Sequence, residues 1–120
     1  MGKRESLLIE AGEIYWIDLI DGRRPAIVVS RELLNRGEYV IVVLCTSAQF
    51  DVRRKLSNCV PFSAGEFGFP KDCVAQCEAI TFVRINRIDF DGHIGIVDDT
   101  KFRELIKAIG FVIGSDCEPE

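Results

Sequence analysis

Two short segments hold the side chains best suited to chemistry. Arg23-Arg24-Pro25 follows Asp21-Gly22, and Cys45-Thr46-Ser47 ends an apolar run that begins at Tyr39. A guanidinium is planar, permanently charged and bidentate toward phosphate oxygens. Beside it, a hydroxyl can hold a further oxygen. A phosphodiester passing through a pentacoordinate state gathers negative charge, and such groups would stabilise it. Taken singly, each residue has a plainer reading. Arg24 could be a surface hairpin arginine in an ion pair. Thr46 and Ser47 could be strand terminators bonded to local backbone.

The elements around these segments must bring them together. Gly12 to Leu19 carries Ile14, Tyr15, Trp16 and Ile17 and reads as a strand. Asp21-Gly22 is a hairpin turn signal. Pro25 to Ser30 is the expected returning strand, with Pro25 at its first position, where a missing N–H is tolerated. Arg31 to Arg36 reads as a turn or single helical turn. Tyr39 to Cys45 is apolar and β-branched, as in a strand buried on both faces. Thr46 to Ser57 is a polar loop. Further strands are expected at Asn58–Phe62, Asp72–Glu78, Ile80–Ile88 and His93–Val97, with a turn at Asp89–Gly92. The period then changes. Phe102, Leu105, Ile106, Ile109, Val112 and Ile113 share a helical face. Asp98, Asp99 and Thr100 suit its start and Gly114 its stop.

The pattern predicts a mostly β fold with one α-helix: many short strands in a curled antiparallel sheet, with a C-terminal amphipathic helix packed across it. The 120 residues suffice for one core. Residues 12–114 form the expected single domain, after a lead-in over 1–11 and before an acidic tail over 115–120. Apolar runs are too short to span a bilayer, and Met1 to Glu10 lacks the apolar length of a signal peptide. A cytoplasmic protein is expected. Five cysteines (Cys45, Cys59, Cys73, Cys77 and Cys117) sit mostly in apolar strands and are expected as free thiols rather than a disulfide framework or zinc site. No metal and no cofactor is expected. The net charge is −4, yet residues 23 to 55 hold seven basic residues against three acids. That local basic face suits a short single strand of nucleic acid.

In order and spacing, these landmarks resemble the MazF/PemK family of toxin endoribonucleases. The resemblance runs from Gly12 to Gly114. It is carried by Gly12-Glu13-Ile14-Tyr15-Trp16-Ile17-Asp18-Leu19, Arg24-Pro25 before Ala26-Ile27-Val28-Val29, Asn35, Thr46-Ser47, Gly68-Phe69, Glu78 and the final helix. It implies an SH3-like small antiparallel β-barrel with a C-terminal helix, a homodimer, a cognate antitoxin and sequence-selective, metal-independent cleavage of single-stranded RNA through 2′-hydroxyl attack. The family's catalytic arginine and threonine map onto Arg24 and Thr46. Glu78 is a candidate base or base-edge acceptor, and equally a structural or interface carboxylate.

Arg23, Ser47, Gln49 and Gln76 are further RNA-binding candidates, Gln76 as a reader of a base edge. Phe67 and Phe69 could stack on unpaired bases or plug the end of the barrel. His93 lies away from the matched site. Two alternatives share the barrel: a protein-binding gyrase poison similar to CcdB, and a catalytically silent barrel that binds RNA or protein. The acidic tail weighs against the first.

Overall fold

The computed structural model describes residues 8–115. Its strands are β1 (Glu13–Leu19), β2 (Gly22–Val28), β3 (Tyr39–Thr46), β4 (Cys59–Phe62), β5 (Cys73–Arg84) and β6 (Ile88–Ile96). They form one antiparallel sheet in the order β4-β5-β3-β2-β1-β6. A single helical turn, α1 (Phe50–Arg53), follows β3, and the long helix α2 (Asp99–Ile113) ends the fold. This is the expected small antiparallel sheet with its C-terminal helix. The sheet curls without a hydrogen-bonded seam, since β4 and β6 remain its two edges. No helix among the described residues is long and apolar enough to cross a membrane.

Two cores explain why the central strands read as almost continuously apolar. Ile14, Ile27, Val43 and Cys45 face one core, beneath Leu105 and Ala108 of α2. Tyr15, Ile17, Ala26, Val28, Val40 and Val42 face the other, with Ile9 and Ile88. Alternate side chains of one strand therefore serve opposite faces, and neither face of its middle needs polar residues. At the start of α2, the Asp98 carboxylate accepts a bond from the Lys101 N–H at 2.9 Å. At its end Gly114 takes φ +80°.

The structure departs from the sequence reading in four places. First, β2 begins at Gly22, so Pro25 lies in its middle opposite Trp16. Proline is tolerated there because the ladder to β3 starts only at Ala26. Second, Asp72–Glu78 and Ile80–Ile88 are not two strands. The single strand β5 runs from Cys73 to Arg84 through a bulge. Val43 pairs with Ile80, but Cys45 pairs with Ala75, so Gln76 to Ala79 oppose Leu44 alone. The bulge breaks the period-two alternation and so resembles a strand break in sequence.

Third, the Asp89–Gly92 turn lies inside β6. Tyr15 pairs with His93 and Ile17 with Ile88, and the intervening residues form an irregularity in a continuous strand. Fourth, the lead-in is not loose throughout. Ile9 is fully buried. Its carbonyl accepts a bond from the buried Asn35 Nδ2 at 2.7 Å, and the Ser30 carbonyl accepts from the same amide at 3.0 Å. Removing that amide would leave two buried acceptors unpaired, at about 1–3 kcal/mol each. The acidic residues Asp116, Glu118 and Glu120, with Cys117, lie outside the described residues.

Candidate active site

The β1–β2 hairpin end, the end of β3 and the segment leading into β5 meet around a pocket of about 410 Å³. Its polar lining comes from Asp21, Arg23, Arg24, Thr46, Ser47 and Lys71, and its apolar lining includes Trp16, Pro25, Cys45 and Phe69. The curl of the sheet thus joins the two segments singled out in the sequence.

The position of Arg24 follows from the residue after it. Val29 N–H donates to the Ile41 carbonyl at 2.9 Å, and Ile27 pairs with Val43 two residues earlier. The same period would set a Pro25 N–H on the Cys45 carbonyl, but proline has none. Arg24 Nε donates to that carbonyl instead, at 3.1 Å. Its Nη2 donates to Gln76 Oε1 at 2.8 Å. A guanidinium has five N–H groups. No described residue pairs Arg24 with a carboxylate, so three donors and the full charge remain for a ligand. Thr46 Oγ1 accepts the Ala48 N–H at 3.2 Å, which leaves the hydroxyl proton to donate outward.

Arg23 is placed differently. It bonds Asp18 at 3.2 Å and also donates to Asp89. Its guanidinium lies 5.9 Å from the Trp16 ring. The hydrogen bond from Arg23 holds the Asp89 carboxyl below the usual carboxylate range, against a smaller opposing effect of burial. Arg23 lines the pocket, but two carboxylates already balance its charge. Ser47 also lines the pocket and is exposed. Gln49 is outside it, at the start of α1 with φ +53°. It borders a neighbouring groove that shares Ser47 and Lys71 with the pocket.

Of the two readings of Phe67 and Phe69, stacking on bases or plugging the barrel end, the packing of Phe69 fits the second. Phe69 is buried, its ring 4.9 Å from that of Phe62. It has no open face for a base. Phe67 is half-buried, edge-on to Phe62 at 6.1 Å. Both pack into the core under α2. The surroundings of Glu78 fit the structural carboxylate among its two readings. Glu78 does not line the pocket; it accepts bonds from Asn58 Nδ2 at 2.6 Å and Gln76 Nε2 at 3.2 Å. Its link to Arg24 runs through Gln76. His93 packs 5.0 Å from the Tyr15 ring on β6.

Trp16 and Lys71 were not picked out as site residues. Trp16 is half-buried beside the pocket and carries an aromatic surface that Phe69 lacks. Its pairing with Pro25 at a hairpin end was the one local clue. Lys71 adds a second cation, and nothing near it in sequence signals that role. Cys45, Cys59, Cys73 and Cys77 are free and buried. A bond from Cys73 and burial push the Cys45 thiol well up, and burial pushes Cys77 up to about 12. The Cys45 and Cys77 thiols stay neutral and do not offset the charge of Arg24. Among the described residues no three His, Cys, Asp or Glu side chains converge on a metal position.

Solved structures share this architecture. An endoribonuclease from Mycobacterial species, in complex with its cognate antitoxin, superposes with a TM-score of 0.75 at 20% identity, covering 88% of this chain and 95% of that one. The Mycobacterium tuberculosis toxin MazF-mt6 gives 0.73 at 22% identity, covering 85% and 96%. A MazE-MazF structure from Deinococcus radiodurans gives 0.70 at 18% identity, covering 89% and 96%. At such identities the likeness shows the fold. No curated protein matches the chain. A family model described as PemK-like, MazF-like toxin of type II toxin-antitoxin system matches residues 10–113. That match takes in both walls of the pocket and nearly the whole sheet, and the chain belongs to this family of MazF-type toxins.

Proposed function

We propose that this toxin is an endoribonuclease that cleaves single-stranded RNA without a metal ion. One observation carries the reading: Arg24, unpaired by any described carboxylate, faces the same pocket as the Thr46 hydroxyl in a MazF-like chain. In the reaction the 2′-oxygen loses its proton and bonds to the adjacent phosphorus. The bond from phosphorus to the 5′-oxygen breaks, and that oxygen takes up a proton. The products are a 2′,3′-cyclic phosphate and a 5′-hydroxyl. Arg24 holds the equatorial oxygens of the phosphorane, where charge builds up. It stays protonated, because the guanidinium pKa exceeds about 12. Thr46 donates to a phosphate oxygen, and Lys71 adds charge at the rim. Trp16 offers a surface for an unstacked base.

The test is incubation of a long, weakly structured RNA with purified protein in EDTA. Fragments ending in 2′,3′-cyclic phosphate are expected. A strand of the same sequence with 2′-deoxy nucleotides throughout should stay intact. Uncut natural RNA in the presence of folded protein would defeat the reading and turn attention to a protein target or a binding-only role.

The same reading includes a cognate antitoxin, as in the solved mycobacterial complex. Its binding over the pocket should abolish the cleavage. It also includes a two-fold homodimer. The exposed Ile106, Phe111 and Ile113 of α2, with Leu56, leave apolar surface for a second copy. Light scattering should give twice the chain mass at micromolar concentration; a persistent monomer would remove the dimer from the proposal.

A further inference from the structure

The second anchor of Arg24 leads out of the pocket. Gln76 Oε1 accepts Arg24 Nη2 at 2.8 Å, while Gln76 Nε2 donates to Glu78 Oε2 at 3.2 Å. Glu78 Oε1 in turn accepts Asn58 Nδ2 at 2.6 Å. A guanidinium only donates and an ionised carboxylate only accepts. Between those two neighbours the Gln76 amide has one satisfactory orientation. The alternation of β5 makes this possible. Cys73, Ala75 and Cys77 point into the core under α2, and Gln76 and Glu78, each one residue out of step with them, lie on the other face.

We propose that Gln76 is a positioning residue for Arg24, and that Glu78 acts through Gln76 by fixing its amide orientation. The bond to the Cys45 carbonyl pins one edge of the guanidinium but leaves its plane free to tilt. The bond to Gln76 sets that plane, and hence where the three remaining donors point relative to Thr46. A reaction that depends on a fork aimed at phosphate oxygens is sensitive to a tilt of this kind. Glu78, outside the pocket, holds the amide carbonyl toward Arg24. With Glu78→Gln the neighbour both donates and accepts, so the Gln76 amide can turn its NH₂ against the guanidinium.

The kinetic part of this proposal rests on the ribonuclease reading; the structural part does not. Gln76→Leu, Glu78→Gln and the double variant are compared with the parent on a short labelled RNA. Gln76→Leu should lower kcat about 10- to 100-fold, with KM changed less than about threefold. Glu78→Gln should show a smaller fall of the same kind, and the double variant should match Gln76→Leu. Losses that multiply in the double variant would put Glu78 on the substrate and overturn the relay.

Water exchange of the Arg24 Nη2 hydrogens, followed by NMR and assigned by their disappearance in Arg24→Lys, gives an independent readout of the bond to Gln76. It should quicken in Gln76→Leu and Glu78→Gln. It should stay slow in Gln76→Glu, which keeps an acceptor for Arg24 and shows that the site still folds. Unchanged exchange in Gln76→Leu would overturn the positioning role. If that exchange responds while the parent leaves RNA uncut, the positioning role stands and the ribonuclease reading fails.

Discussion

Replacing Arg24 by alanine is expected to slow RNA cleavage about 10³-fold, while stability falls only modestly. The magnitude follows from what is lost. Removing one preorganised donor to a developing oxyanion costs about 10²- to 10³-fold, and a transition-state arginine in phosphoryl transfer is worth about 10³- to 10⁵-fold. Arg24 combines several donors with a charge that no described carboxylate offsets. The stability effect should be modest, about 1 kcal/mol, because Arg24 is only half-buried and the Cys45 carbonyl it leaves borders the pocket.

Arg24→Lys is the sharper variant. An ammonium keeps the charge but has no planar fork, so it cannot hold the Cys45 carbonyl and the Gln76 amide and still face the phosphate. A loss of about 10²-fold is expected. Rate constants for both variants under single-turnover conditions, with urea melts of the same preparations, check these values. If Arg24→Ala cleaves at the parent's rate, this pocket is not the reaction centre.

Gly95→Ala should damage the fold severely. A Cβ on Gly95 would lie 2.1 Å from the Phe67 carbonyl oxygen, inside any tolerable contact. The obstacle is backbone, so no side chain can swing aside. The contact is reciprocal: a Cβ on Gly68 would lie 2.4 Å from the Ile94 carbonyl oxygen, and Gly68 also has φ +91°. The Glu66–Gly68 turn therefore packs its backbone directly on β6. Forcing it off should cost about 3 kcal/mol, the upper part of the range for overpacking.

The cost would reach function, because this turn leads straight to buried Phe69 and to Lys71 at the pocket. Gly37→Ala is the control. Its Cβ would meet only the Leu34 carbonyl at 3.7 Å, an ordinary contact. Urea unfolding of the two variants should separate them by at least about 2 kcal/mol. Equal midpoints would mean that the turn and β6 give way more easily than this packing implies.

Local signals in the sequence were enough for the elements that obey local rules. The Asp21-Gly22 hairpin, the strand from Tyr39 and the helix between Asp98 and Gly114 depend on turn chemistry, β-branched composition, capping and period. Each can be read within a few residues. Errors fell where pairing overrides local preference. Pro25 sits inside β2 because the facing strand leaves a place for it. The β5 bulge and the Asp89–Gly92 irregularity exist only relative to β3 and β1. Ile9 reads as lead-in because the amide that secures it, Asn35, is far along the chain.

The same division runs through the site. Residue type and order singled out Arg24 and Thr46, because a guanidinium and a hydroxyl at strand ends carry their chemistry with them. Which groups stand beside them was a matter of long-range geometry. The curl of the sheet brought in Trp16 and Lys71, buried Phe69 and left Glu78 outside the pocket. It also gave Arg23 two carboxylate partners and Arg24 none. The sequence by itself determined the fold class and the two groups able to meet a phosphodiester. Tertiary structure alone decided which arginine keeps its charge available, because an ion pair depends on distances between strands that no local pattern encodes.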